Sequence, residues 1–132
     1  MRIVTVNCNG IRSATSKGMF TWLKRQKPDV ICLQEIKALE SDLPPEALPW
    51  KKWHAFFHPA DKKGYAGVAL YCKREPDRVQ IGTGIKWIDA EGRYLQADFG
   101  NLSVYRSMSR RARPRRSRKR KNSASWMRLC RI

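Results

Sequence analysis

With 132 residues the chain is sized for one domain, and 42% hydrophobic residues suit a globular core, but a formal net charge of +17 is far from ordinary. The excess is local. Residues 105–132 hold 12 of the 28 basic residues and none of the 11 acids, which leaves residues 1–104 a net +5. No run approaches the ~18 apolar residues of a membrane span. The opening MRIVTVNCNG lacks the charged-then-apolar pattern of a signal peptide, so the chain reads as cytoplasmic, with no membrane partner. Cys8, Cys32, Cys72 and Cys130 stand far apart with no Cys-x-x-Cys pair, which argues against zinc and for reduced, buried thiols.

Ile3 to Val6 is a β-branched run, apolar on both faces, and predicts a buried strand that stops at Asn7. Asn9-Gly10 is a turn signal. From Ser16 to Gln26, Met19, Phe20 and Leu23 share one face at helical spacing, and Pro28 closes the segment. Val30 to Leu33 is a second apolar run that ends at Gln34-Glu35. Strand, helix and strand in about 35 residues form a right-handed crossover with parallel strands.

The pattern then changes to short strands with tight connections: 53–57, 68–72, 79–81, 94–99, and 102 onward. Gly100-Asn101 suits a two-residue hairpin loop, since glycine tolerates the positive φ such a turn needs. A parallel opening followed by antiparallel hairpins implies a mixed sheet in a layered α/β protein. His54 and His58 alternate with aromatics and read as half-exposed strand residues.

Adjacent parallel strands bring their carboxyl ends to one edge of the sheet, where open α/β proteins build their sites. Asn7 and Glu35 end the two opening strands, and an amide oxygen with a carboxylate is a hard, oxygen-only pair suited to Mg²⁺ or Mn²⁺. Taken by residue type alone, the simpler reading is that Asn7 closes a turn and Glu35 is a solvated strand end.

Four longer segments add context. IVTVNCNGIRSA, PDVICLQEIKA, KKGYAGVALY and EGRYLQADFGNLSV occur in the order and near the spacing of the exodeoxyribonuclease III family, which the chain resembles over residues 1–104. That family is the bacterial apurinic endonuclease branch of the endonuclease/exonuclease/phosphatase superfamily. The resemblance implies the N-terminal half of a four-layer α/β sandwich, a mixed sheet with helices on one face. It also implies a monomeric Mg²⁺-dependent (or Mn²⁺-dependent) hydrolase that cuts double-stranded DNA at abasic sites and trims 3′ ends. Carried over by position, Glu35 binds the divalent ion and Asn7 sits in the same metal site. Asn9 and Arg12 lie in the turn near the DNA backbone, with Lys37 beside them. Tyr65 and Gly67 belong to a glycine-rich loop that approaches the duplex, although Gly67 as a tight turn and Tyr65 as a packed aromatic are equally open. Arg93, in Glu91-Gly92-Arg93, also recurs in the family, but a structural salt bridge is the preferred reading.

Family members run to about twice this length, and the acids, tyrosine and histidine that finish their site would follow residue 104. Here the chain continues YRSMSRRARPRRSRKRKNS. Read from the third base of the Val104 codon, the codons allowed for residues 105–111 can encode Val-Ser-Leu-Tyr-Val-Pro-Ser, much like the family's next segment. In the same register Trp126-Met127 forces an aspartate. Residues 105–132 therefore read as an out-of-frame basic tail, disordered and without a selected role, and a polypeptide ending there is expected to be inactive. The alternative is a genuine basic arm on a non-catalytic nucleic-acid-binding fragment.

Overall fold

The computed structural model describes residues 1–108 and 128–131. Strands β1 (Arg2–Asn7) and β2 (Val30–Gln34) pair in parallel, from Ile3 opposite Val30 to Asn7 opposite Gln34. The crossover between them holds two helices where the spacing predicts one: α1 (Ile11–Ser16) and α2 (Met19–Arg25). Gly18 divides them. Its φ of +87° is left-handed, a conformation that costs glycine little and that no helix can run through.

Strand β3 (His54–His58) and strand β4 (Val68–Cys72) complete the other side of this sheet, with β4 antiparallel to both β2 and β3. Every residue of β4 is buried, as a central strand covered on both faces requires. A second, antiparallel sheet has the order β5 (Arg78–Ile81), β6 (Tyr94–Phe99), β7 (Leu102–Ser107). One helical turn, α3 (Lys86–Asp89), links β5 to β6, and Gly100 (φ +57°) forms the tight β6–β7 turn.

The layers are helix, sheet, sheet. On one face of the first sheet Val4, Val6, Ile31, Leu33, Ala69 and Tyr71 pack against Ile11, Met19, Phe20 and Leu23 of the helices. On its other face Val30, Cys32, Val68, Leu70 and Cys72 pack against Leu95, Ala97, Phe99 and Val104 of the second sheet. The chain thus supplies a second sheet in addition to the mixed sheet with helices on one face that the resemblance implies. Strands β5, β6 and β7 form a separate sheet, because they pair with one another and not with β3.

Two parts of the segment predicted to be disordered lie in strands. β7 runs three residues past the boundary at 104, since ladder hydrogen bonds form through the main chain whatever the side chains are. Residues Arg128–Arg131 form β8, antiparallel to β1, from Arg2 opposite Arg131 to Thr5 opposite Arg128, and cover an otherwise open edge of the first sheet. Residues 109–127 and 132, the rest of the predicted basic tail, lie outside the described residues. Among the described residues no helix is long and apolar enough to cross a membrane.

Candidate metal and nucleic-acid site

Asn7 and Glu35 meet at the carboxyl edge of the parallel pair. Asn7 Nδ2 donates to Glu35 Oε1 at 2.9 Å, and Asn7 Oδ1 accepts the Asn9 amide at 3.1 Å. Lys37 Nζ lies 3.7 Å from Glu35 Oε2 and donates to Asn9 Oδ1 at 2.5 Å. Four predicted site residues therefore form one hydrogen-bonded cluster. Lys37 and Glu35 keep 35% and 28% of their side chains exposed, so the carboxylate remains reachable from solvent.

Three chain segments hold this cluster by their backbones. Gly10 and Ile11 amides donate to the carbonyls of Glu35 and Ile36 at 2.7 and 2.9 Å. The Ile36 and Lys37 amides donate to Gly67 and Ala66 at 3.2 and 2.9 Å. Asn9, Glu35, Lys37 and Ala66 are all left-handed, with φ between +42° and +51°. Such conformations cost about 1–3 kcal/mol each outside glycine and concentrate where position matters more than stability.

Beneath the cluster, Cys8 Sγ donates to the Gln34 carbonyl at 3.1 Å, and burial, with a smaller contribution from the Glu35 charge, pushes its thiol up to about 12. It is inert packing under the site.

Gly67 sits in this framework for a steric reason. A Cβ there would stand 2.7 Å from Ile36 Cγ1, and its φ is +84°. The glycine lets the 64–67 loop lie directly on the Glu35 turn. Tyr65 is 40% exposed, and its hydroxyl accepts from Arg93 Nη2 at 3.0 Å. Lys62 Nζ stands 5.8 Å from the Tyr65 ring centroid. Arg93 is buried and ion-paired with Glu91, as the structural reading holds. Arg12 is exposed on α1 and makes no contact with the cluster among the described hydrogen bonds and ion pairs. His58 is half-buried and its Nδ1 lies 2.7 Å from the Tyr94 carbonyl, joining the two sheets.

The donor set at the edge is oxygen from Glu35 and Asn7, chemistry that suits a hard divalent cation. Among the described residues there is no cluster of three or more His, Cys, Asp or Glu able to hold an ion, so these two groups amount to part of a coordination shell. The left-handed Glu35 and Lys37, and the Tyr65–Arg93 bond, carry no sequence signal, whereas the Gly-rich 64–67 stretch marks the supporting loop.

A family model for the endonuclease/exonuclease/phosphatase family matches residues 4–129. The chain belongs to that family. An exodeoxyribonuclease of Bacillus subtilis is 38% identical over 117 residues, covering 84% of this chain and 44% of the relative. Among solved structures, an AP endonuclease from Archaeoglobus fulgidus superposes with a TM-score of 0.69 at 30% identity, over 82% of this chain and 40% of that one. A 3′ phosphatase from Neisseria bound to a product DNA hairpin gives 0.66 at 28% identity, over 80% and 40%. The chain thus spans less than half the length of these endonuclease/exonuclease/phosphatase relatives.

Proposed function

We propose that residues 1–104 form the first part of a metal-dependent phosphodiester hydrolase acting on double-stranded DNA at abasic sites and 3′ ends. The observation that carries this reading is the Asn7–Glu35 hydrogen bond at the carboxyl edge of two parallel strands, held by left-handed turns. Mg²⁺ or Mn²⁺, held by Glu35 and Asn7 with acids from elsewhere in the complete site, would supply Lewis-acid polarisation of a phosphoryl oxygen. Lys37 pins Asn9 and balances part of the Glu35 charge, fixing the carboxylate for that ligand. Asn9 and exposed Arg12 stand on the turn that would meet the DNA backbone, and Tyr65, on the loop seated against the Glu35 turn, would approach the duplex. These residues orient the strand and its scissile phosphate, and the energy of such positioning is what phosphoryl transfer needs most.

The test compares a polypeptide of residues 1–132 with a version whose reading frame is restored after codon 104, on an abasic-site duplex with Mg²⁺. The shorter polypeptide is expected to leave the duplex intact, and the restored one to cut it. Glu35→Ala in the restored protein is expected to lower kcat/KM at least ~10³-fold, about 4 kcal/mol of transition-state stabilisation. Robust cutting by residues 1–132 would overturn the partial-site reading. DNA retention without cutting by the restored protein would favour a binding fragment instead.

A further inference from the structure

A groove of about 420 Å³ opens at the end of the first sheet opposite Glu35, where α2 finishes, β2 and β3 begin and β4 ends. Its walls are four exposed lysines (Lys24, Lys27, Lys51 and Lys73) and two half-buried tryptophans, Trp50 and Trp53. The tryptophans are fixed. Trp53 N–H donates to the Trp50 carbonyl at 2.8 Å, and their rings meet edge to face at 4.9 Å and 76°. Trp50 also packs edge-on to the core residue Phe20, at 6.5 Å. Lys73 is placed by its amide, which donates to the Asp29 carbonyl at 2.9 Å.

Lysines at the carboxyl end of a helix are ordinarily explained by the helix dipole. That accounts for Lys24 and Lys27 but not for Lys51 and Lys73, which arrive from the β3 approach and from the end of β4. Among the described residues, none of the four ammonium groups has a carboxylate within 4 Å. The nearby Asp29 carboxylate is engaged by the Arg2 amide at 2.6 Å. Four like charges from three chain segments thus line one groove beside two rigid aromatic rings, with no carboxylate pairing them among the described residues. Phosphates relieve such a repulsion, and an unpaired base stacks on an indole face, worth about 1–3 kcal/mol per base. A duplex offers the phosphates but keeps its base faces covered.

We propose that this groove binds a short single-stranded nucleic-acid segment, its phosphates on Lys24, Lys27, Lys51 and Lys73 and a base against Trp50 or Trp53. The groove works without metal and independently of the Glu35 edge. The experiment is photocrosslinking of a ten-residue oligodeoxynucleotide carrying 5-bromouracil to the 132-residue chain in EDTA, with the crosslinked peptides mapped by mass spectrometry. Crosslinks are expected at Trp50 or Trp53, to fall at least ten-fold in Lys27→Glu/Lys51→Glu/Lys73→Glu, and to persist in Glu35→Ala. With three phosphate contacts removed, the log–log salt slope of the Trp50/Trp53 crosslink should flatten by about 2. An unchanged thermal melt of the triple variant shows that the loss is not unfolding. Inorganic phosphate and a mononucleotide serve as competitors: strong competition by free phosphate, or equal crosslinking by duplex, would overturn the single-strand assignment. Crosslinks confined to residues 105–131, or insensitive to the three lysines, would overturn the groove itself. Because metal is absent from this assay and the expected crosslinks do not depend on Glu35, its failure leaves the hydrolase reading intact, and the reverse also holds.

Discussion

The two faces of the first sheet are closed by different means. One is covered by α1 and α2, which lie between the strands they cover, and its contacts are apolar and aromatic, with Phe20 and Phe57 edge-on to Tyr71 at 5.5 and 5.7 Å. The other is covered by β6 and β7, some sixty residues further along, and that face takes in a cation. Arg106 lies beside Val104 on the inward side of β7, its Nε is buried without a hydrogen-bond partner, and burial lowers its pKa. The local face is chemically uniform and tolerant. The distant face depends on close backbone fits, and these are where it can be broken.

Gly92→Ala should have the largest effect. A Cβ at Gly92 would lie 2.5 Å from the Ala60 amide nitrogen, the His58 carbonyl oxygen and the Pro59 carbonyl carbon, all backbone atoms, and φ is +58°. Nothing flexible can yield. We expect a loss of about 4 kcal/mol in chemical denaturation. Amide exchange should show the loss concentrated in residues 94–107, with α1, α2 and β1 keeping their protection. Uniform loss of protection would mean that the two faces do not differ as described.

Alkaline pH separates the faces by their thiols. Burial pushes Cys32 and Cys72, between the sheets, and Cys8, on the helix side, up to about 12. An unfolded thiol ionises near ~8.5, so as pH rises the unfolded chain loses protons first. Stability should hold below that pH and then fall towards 12, by up to about 1.4 kcal/mol per pH unit for each thiol. Cys32→Ala/Cys72→Ala should remove about twice as much of the slope between pH 9 and 11 as Cys8→Ala.

Gly67→Ala probes the helix-side cluster through Ile36. The close contact here is with side-chain carbons, which can shift, so the cost should be about 2 kcal/mol, half that at Gly92. The smallest effect is a gain. Arg106→Leu should stabilise the fold by about 1 kcal/mol by replacing a half-buried guanidinium, whose buried Nε has no hydrogen-bond partner, with packing. A loss at that position would show that the guanidinium has a compensating role between the sheets.

The strands were legible because the β-branched run Ile3 to Val6 favours extended backbone and the short, continuous apolar run Val68 to Cys72 suits a strand buried on both faces. The proximity of Asn7 and Glu35 was legible for a related reason: parallel strands joined by a crossover must end at the same edge. The helix break was hidden, because Gly18 lies within a span whose apolar spacing fits a single helix. The sheet to which β5, β6 and β7 belong was hidden too, since alternation reports a buried face and not the partner that buries it. Nor does sequence announce a left-handed glutamate: Glu35 takes that φ because the carbonyls of Glu35 and Ile36 must meet the Gly10 and Ile11 amides.

Strand β2 is only five residues long, yet each one is committed. Val30 and Cys32 serve the second sheet, Ile31 and Leu33 serve the helices, and Gln34 delivers the chain to Glu35. This makes the segment a reading frame of its own kind. One residue gained or lost within it would exchange the two faces at a stroke and turn the acid away from Asn7. Two gained would restore the faces but carry the carboxylate about 7 Å past its partner. Point changes in β2 can be graded, but insertions and deletions cannot, so length variation should be confined to the connections on either side of it.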